Sequence, residues 1–572
     1  MHAEDRALAR FAERYIDVSL SLDPVRASAL GYAKFGGSLP DWSPQGLSKS
    51  ARILQSLSQE LSRIDPKKLS RAYAVDHGLI KEQLRQAHFL LTTLTPFEWD
   101  AQLYNEQVGG GLYHLTLPPP QPTDWPKQLA NIVQRLEALP GFLKVAQTQL
   151  KAPPRVFVDF VIAQNPGNLI TVQQTLPPLF EGHPELKARF ERVQPAAVQA
   201  LQQYQSFLEG PLRQRALGDW RLGEARFSQK LAYTLGTDQS PKSVYQRAEQ
   251  GLAQARFQMY DVALPLFVEA FPEDKAYLEL LGDARINYVV SKVIQQASDR
   301  HGTAETLFED VRTKTETITA WLRSEDFIAL PPKTDHFVIE PTPAFLDGLA
   351  VAFYNPAPAF HPDLKKSFWI STVPTSDPED TESYLREYNH YILDALTIHE
   401  AFPGHYVQLY WSSHAEDASV IKRVLESGTM AEGWAMMVEQ LMHEAGWGKQ
   451  DPRQLLFHLK MRLRIFLNAM IDVRLHTSTQ QDPEALDAWA MQLMTEQGFQ
   501  EQAEASRKLR RAKLTSTQLC TYYVGYQEML DIYRDLEAKG TLTKKAALMK
   551  MISFGTIPPR TIRKLLAQEN LL

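Results

Sequence analysis

Residues 397–408, reading TIHEAFPGHYVQ, constrain this chain more than any other stretch, because no regular helix can run through them. Pro403 has no N–H to give to the carbonyl of His399 four residues back, and Gly404 can take backbone angles closed to other residues. His399 and Glu400 lie before this interruption and His405 just after it. In a straight helix each residue turns the chain by about 100°, so six steps would point His405 roughly 120° away from His399. The sequence therefore predicts a distorted helix between Phe402 and His405. A bulge that absorbs two residues returns His405 to the face of His399, where a residue four positions on would stand.

Two imidazoles on one face can hold a zinc ion, and a carboxylate between them can take a proton from a water, the chemistry of the HExxH pattern. Catalytic zinc usually keeps three protein ligands. The next dense carboxylate region is 425–439, LESGTMAEGWAMMVE. Glu432 is the expected third ligand, since Gly428, Thr429, Ala431 and Gly433 let another helix come close. Glu426 and Glu439 compete, and Glu439, seven residues on and on the same face, is placed to orient a ligand from behind. Any one of these glutamates alone reads more simply as a solvated helix face; the histidine pair reverses that preference. His443-Glu444 repeats the dipeptide without a second imidazole, and His458 reads as ordinary packing.

The rest of the chain supplies the setting. Its 572 residues suffice for two to four structural units or one large helical body. Sixty-one basic against 67 acidic residues, net -6, point to no nucleic-acid or anionic-membrane partner. A single cysteine, Cys520, excludes an intramolecular disulfide and a cysteine-rich zinc module. With no run of 18 apolar residues and no apolar h-region at the start, the expectation is a soluble protein without an integral membrane segment. It would be cytoplasmic, or periplasmic or secreted if a leader has been removed.

Up to about residue 325 the patterns are helical, with the stretches 7–22 and 76–94 as examples. A long loop is expected over 105–126, where Gly109, Gly110 and Gly111 precede five prolines. Phe257, Tyr260 and Phe267 read as core. Beyond residue 324 the composition shifts, and three strands are expected at 336–340, 349–354 and 367–372. Ser376 with Glu379 fits a capping box, and periodicity from Tyr384 runs into His399. A strand edge next to that helix could take an extended peptide as one more strand. The division expected is a helical region over 1–325 and a metal-site region over 326–572, intertwined as one body.

Further on, Asp472 and His476 share a helix face, as a structural bond or as a histidine held by a carboxylate. Tyr522, Tyr523 and Tyr526 cluster around Gly525. A tyrosine hydroxyl can donate to an oxyanion, although core aromatics are the simpler reading.

These motifs together resemble the bacterial domain of unknown function 885, and through it the gluzincin metallopeptidases. The resemblance rests on His399-Glu400-Ala-Phe-Pro403-Gly404-His405 with Gln408, on Glu432-Gly433-Trp434-Ala435, on Asp472 with His476, and on Gln518, Tyr522 and Gly525. Asn468, Val473-Arg474 and Ser516 depart from the family pattern, outside the expected metal site. The resemblance implies a mainly α fold with a small β-sheet, gluzincin-like, with long helices around a deep channel. It also implies a zinc-dependent peptidase for short peptides with one Zn2+ per chain. His399, His405 and Glu432 would hold the metal, Glu400 would be the general base, and His476 or Tyr522 would stabilise the oxyanion. Two alternatives stand beside it: a metal-dependent amidase or hydrolase with a non-peptide substrate, and a non-catalytic metal-binding channel protein. Manganese or cobalt would also suit two histidines and a carboxylate.

Overall fold

The computed structural model describes residues 3–119, 121–332, 335–342, 352–375, 377–479 and 482–572. Within them the chain is mainly helical with one small sheet, and it divides into two compact units. One comprises Met1–Trp220, Pro358–Leu364 and Ser419–Leu425; the other comprises Arg221–Ala357, Lys365–Ala418 and Glu426–Leu572. The expected boundary at 325/326 falls inside the second unit. Helices are numbered below in chain order as the argument needs them.

In the first unit the helical patterns at the start become α1 (Ala3–Leu22) and α2 (Arg71–Phe89). The expected loop over 105–126 is corrected: α3 (Ala101–Tyr113) runs straight through the three glycines. Asp100 starts it by accepting from the N–H groups of Gln102 and Leu103. The glycines serve close approach instead of a turn. A Cβ on Gly111 would lie 3.3 Å from Val25 and 3.4 Å from the guanidinium of Arg135 on α4 (Trp125–Gln149). That guanidinium donates to the Gly111 carbonyl. Tyr104, Val108 and Leu112 of α3 enter the core of this unit with Leu136, Leu143 and Leu201.

In the second unit α5 (Pro241–Ala270) packs along the apolar α10 (Pro452–Thr477), where Gly251 leaves room for the Phe466 ring. Phe267 of α5 is buried, but Phe257 is 64% exposed, so the expected aromatic stripe does not hold as a whole. Ten residues turn a helix by about 1000°, which sets Phe257 roughly 80° off the face of Phe267.

The three expected strands form as β1 (Phe337–Pro341), β2 (Ala352–Asn355) and β3 (Lys366–Ile370), in the order β1-β3-β2. β1 is parallel to β3 with Phe337 opposite Lys366, and β2 is antiparallel with Tyr354 opposite Phe368. Residues 349–351 of the second expected strand lie outside the described residues, as does Ser376 of the expected capping box. The helix after the sheet is capped by Asp377, which accepts from the N–H groups of Glu379 and Asp380.

That helix does not run on into His399 as expected. It splits into α6 (Pro378–Glu387) and α7 (His390–Glu400). The break falls at Asn389, whose Oδ1 accepts from the N–H groups of Tyr391 and Ile392 and whose amide donates to the Arg386 carbonyl. An asparagine offering its side chain to nearby backbone competes with the helix and restarts it as an N-cap. Phe368 and Ile370 of β3 pack in one core with Leu393 and Ala401, which seats α7 on the sheet.

Candidate metal centre

The turn after α7 is built from backbone geometry that only a few residue types permit. The N–H groups of Ala401 and Phe402 both turn back to the Thr397 carbonyl, at 3.0 and 3.1 Å, and Gly404 N–H reaches the Ile398 carbonyl at 2.9 Å. A Cβ on Gly404 would lie 1.8 Å from the His399 carbonyl oxygen, so the position accepts glycine alone. The Phe402–Pro403 bond is cis. The chain then starts a second helix, α8 (His405–Ser413), with Gln408 N–H donating to the Gly404 carbonyl. The expected bulge is thus a full break and restart: the i→i−4 ladder stops with the Ala401 N–H and resumes with the Gln408 N–H. Trp434 holds the turn from the far side, donating its indole N–H to the Pro403 carbonyl at 3.0 Å while fully buried.

This turn brings the two imidazoles together, with ring centroids 4.8 Å apart and planes at 88°. Their Nε2 atoms face the same oxygen of Glu432, at 3.4 Å from His399 and 3.6 Å from His405. Glu432 sits on α9 (Gly428–Ala445). The small residues around it let another helix come close as expected, and that helix is α12 (Cys520–Lys539), which α9 crosses at backbone contact. A Cβ on Gly433 would lie 2.3 Å from Gly525, and one on Gly525 would lie 2.1 Å from the Thr429 carbonyl.

Glu400 lies within 4.8 Å of both histidines as well, ligand atom to ligand atom, and so competes with Glu432 as a third ligand. Its Oε2, however, accepts from the Tyr354 N–H of β2 at 2.8 Å. Glu432 instead offers one oxygen to both Nε2 atoms. The other competitor, Glu426, is exposed ahead of α9.

Behind His399 stands Glu439, in the supporting place expected for it. His399 Nδ1 donates to Glu439 Oε1 at 2.7 Å, which fixes the ring and leaves Nε2 to face Glu432. The other carboxylate oxygen lies 3.3 Å from Nδ1 of His458, a buried residue of α10 that the sequence had placed among ordinary packing. Nothing local in LLFHLKMRL marks it, since the partner it meets comes from another helix. His443 lies against His458, ring centroids 4.6 Å apart, and Glu444 pairs with Arg534, so neither joins the pair at Glu432.

Two of the three carboxylates at this point are held ionised. Burial opposes ionisation of Glu432, but the two imidazoles facing it outweigh burial and hold the carboxyl well below the usual range. For Glu439 burial likewise loses to the hydrogen bond from His399 and to the His458 ring close by, and its pKa falls to about 2. Glu400 moves the other way: burial pushes it up, and the Glu432 charge adds to the rise against the two histidines.

Tyr522 lies one turn before Gly525 on α12, so the helix crossing brings it to the Glu432 side. The Glu432 charge is the main cause of its raised pKa, with burial second. Arg511 of α11 (Gln502–Thr515) donates to the Gln518 side chain at 2.9 Å and to the Tyr522 hydroxyl at 3.4 Å. His476 is placed elsewhere. Fully buried, it turns Nε2 to the Ala512 carbonyl at 2.9 Å and stacks on Phe227. Asp472 stands 3.9 Å from His476 and accepts from the N–H groups of Thr517 and Cys520. Of the two readings for this pair, its placement is the structural one.

Residues 24–566 match the family described as "Bacterial protein of unknown function (DUF885)". No curated protein matches. Among solved structures, a "putative lipoprotein of unknown function" from Shewanella oneidensis is similar at 27% identity, over 98% of this chain and 99% of that one, with a TM-score of 0.85. A "putative lipoprotein" from Colwellia psychrerythraea shares the fold at 15% identity and a TM-score of 0.74, over 99% of both chains.

Proposed function

This chain belongs to the DUF885 family, whose function is unknown, so its activity has to be read from the site itself, and we propose that it is a zinc-dependent peptidase for short peptides. The observation that carries this reading is the convergence of His399 Nε2 and His405 Nε2 on one Glu432 oxygen, at 3.4 and 3.6 Å. Two imidazoles and a carboxylate are a donor set that suits zinc. When bound, the ion would lower the pKa of a water and polarise a carbonyl.

The protein's own groups supply the rest. Glu400, held through one oxygen by the Tyr354 N–H, keeps the other to take a proton from water and pass it to the leaving amine. Its raised pKa suits a group that must both accept and return a proton. Tyr522 donates its hydroxyl to the oxyanion that develops on the attacked carbonyl, with Arg511 beside it as a fixed positive charge. His476 has no part in this reading, because its ring is sealed in the core. β2 is an edge strand in the described sheet, and Tyr354 on it touches Glu400, so a peptide laid along that edge would pass the base. The gluzincin-like channel belongs to the same proposal.

A panel of short peptides with free and blocked termini tests it. The zinc-loaded protein is expected to cleave some of them, and Glu400→Gln to keep its zinc while losing about 10²-fold or more in kcat. Full activity in zinc-loaded Glu400→Gln would overturn the mechanism. Silence on every peptide, with zinc bound, would shift the reading to a non-peptide amide.

A further inference from the structure

His458 is a buried, potentially charged group for which the proposed reaction has no use. It lies on α10 at 2% exposure, and Glu439 on α9 is equally buried at 2%. The two oxygens of Glu439 are divided between two imidazoles from two different helices: Oε1 takes the N–H of His399 at 2.7 Å, and Oε2 stands 3.3 Å from Nδ1 of His458. Resting on the metal reading above, we propose that His458 is a positioning residue of the metal centre, acting through Glu439 to hold His399 in its ligating orientation.

A carboxylate in so dry a place needs a partner for each oxygen, or it loses part of its charge or its orientation. The terminal torsion of a glutamate is soft, so one hydrogen bond alone leaves the carboxylate plane free to rock. His458 closes that freedom. Nδ1 and Oε2 are at contact distance without the alignment of a full hydrogen bond, and a small turn of the His458 ring with its proton on Nδ1 pins Oε2; Oε1 then stays on His399 Nδ1, which turns Nε2 outward to Glu432. Burial keeps His458 low in pKa, so its ring suits the neutral form. A neutral His458 can give its one proton to the carboxylate. The chain of support runs from α10 through α9 to α7.

The test reads zinc affinity, by competition with a chromophoric chelator, on the full chain. His458→Phe keeps the ring and loses the donor; it is expected to weaken zinc binding about tenfold or more. His458→Asn puts an amide N–H where Nδ1 stands and should recover most of that loss, which a purely space-filling role would not produce. Because His458 acts through Glu439, the double variant His458→Phe/Glu439→Gln should bind no more weakly than Glu439→Gln alone. Wild-type affinity in His458→Phe, or a loss that adds in full to that of Glu439→Gln, would overturn the inference and leave the metal reading standing. Failure of the wild-type chain to bind zinc at all would overturn both. Nitrogen NMR of histidine-labelled wild-type protein decides even where a variant folds poorly: a proton on Nδ1 of His458 is required, and a proton on Nε2 alone contradicts it.

Discussion

At His399 and His405 a six-residue spacing reaches one oxygen because the residues between them stop one helix and start another. Pro403 and Gly404 announced that interruption in the sequence, since one lacks a donor and the other lacks a Cβ. The anchors of the turn were not legible. Trp434 reaches the Pro403 carbonyl from α9, and the Tyr354 N–H that holds Glu400 is a main-chain group with no letter of its own. The approach of His458 to Glu439 was not legible for the same reason, as the partner stands on another helix. Gly404 is the position that permits least. Gly404→Ala would force a methyl to within 1.8 Å of the His399 carbonyl, and a loss of about 3 kcal/mol or more is expected in denaturant unfolding. A cost near zero would mean that the turn does not have this shape.

At the scale of elements, patterns with a strong local cause were readable and those set by a neighbour were not. The three strands came from β-branched and aromatic runs fenced by prolines, and they stand within a residue or two of expectation wherever they are described. Asn389 hid a helix break inside good periodicity, because a side-chain cap does not disturb the apolar pattern on either side. Gly109 to Gly111 misled in the opposite direction: three glycines signal a loop unless a second helix, here bearing Arg135, needs the space. Asp472 shows how a pair on one helix came to hold a different one. It fastens the turn before α12, and burial raises its carboxyl from 3.8 to about 6. Its folded pKa thus exceeds the unfolded one, so its contribution to stability is fully present below about pH 3.8 and is lost as pH rises through about 6. Asp472→Asn does not titrate; the stability difference between it and the wild type should therefore move against the wild type across that window. Parallel pH profiles would contradict the raised pKa.

Over the whole molecule, the mainly helical class and the small sheet were legible because periodicity and composition are summed over many residues. The division into units was not, since it depends on which helices pack together. α5 lies before the expected boundary at 325 but packs on α10, and it belongs with the second unit for that reason. Tyr354, His399, Glu400, His405, Glu432, Glu439, His458 and Tyr522 all fall in that unit, although they come from separate stretches of sequence. The account stands on His399, His405 and Glu432 holding one ion together. Zinc content after reconstitution and exhaustive dialysis tests this most directly, read on the wild type, Glu400→Gln and His405→Ala. About one zinc per chain is expected in the first two and little or none in His405→Ala. A wild type that retains no zinc, or a His405→Ala variant that retains as much as the wild type, would contradict it.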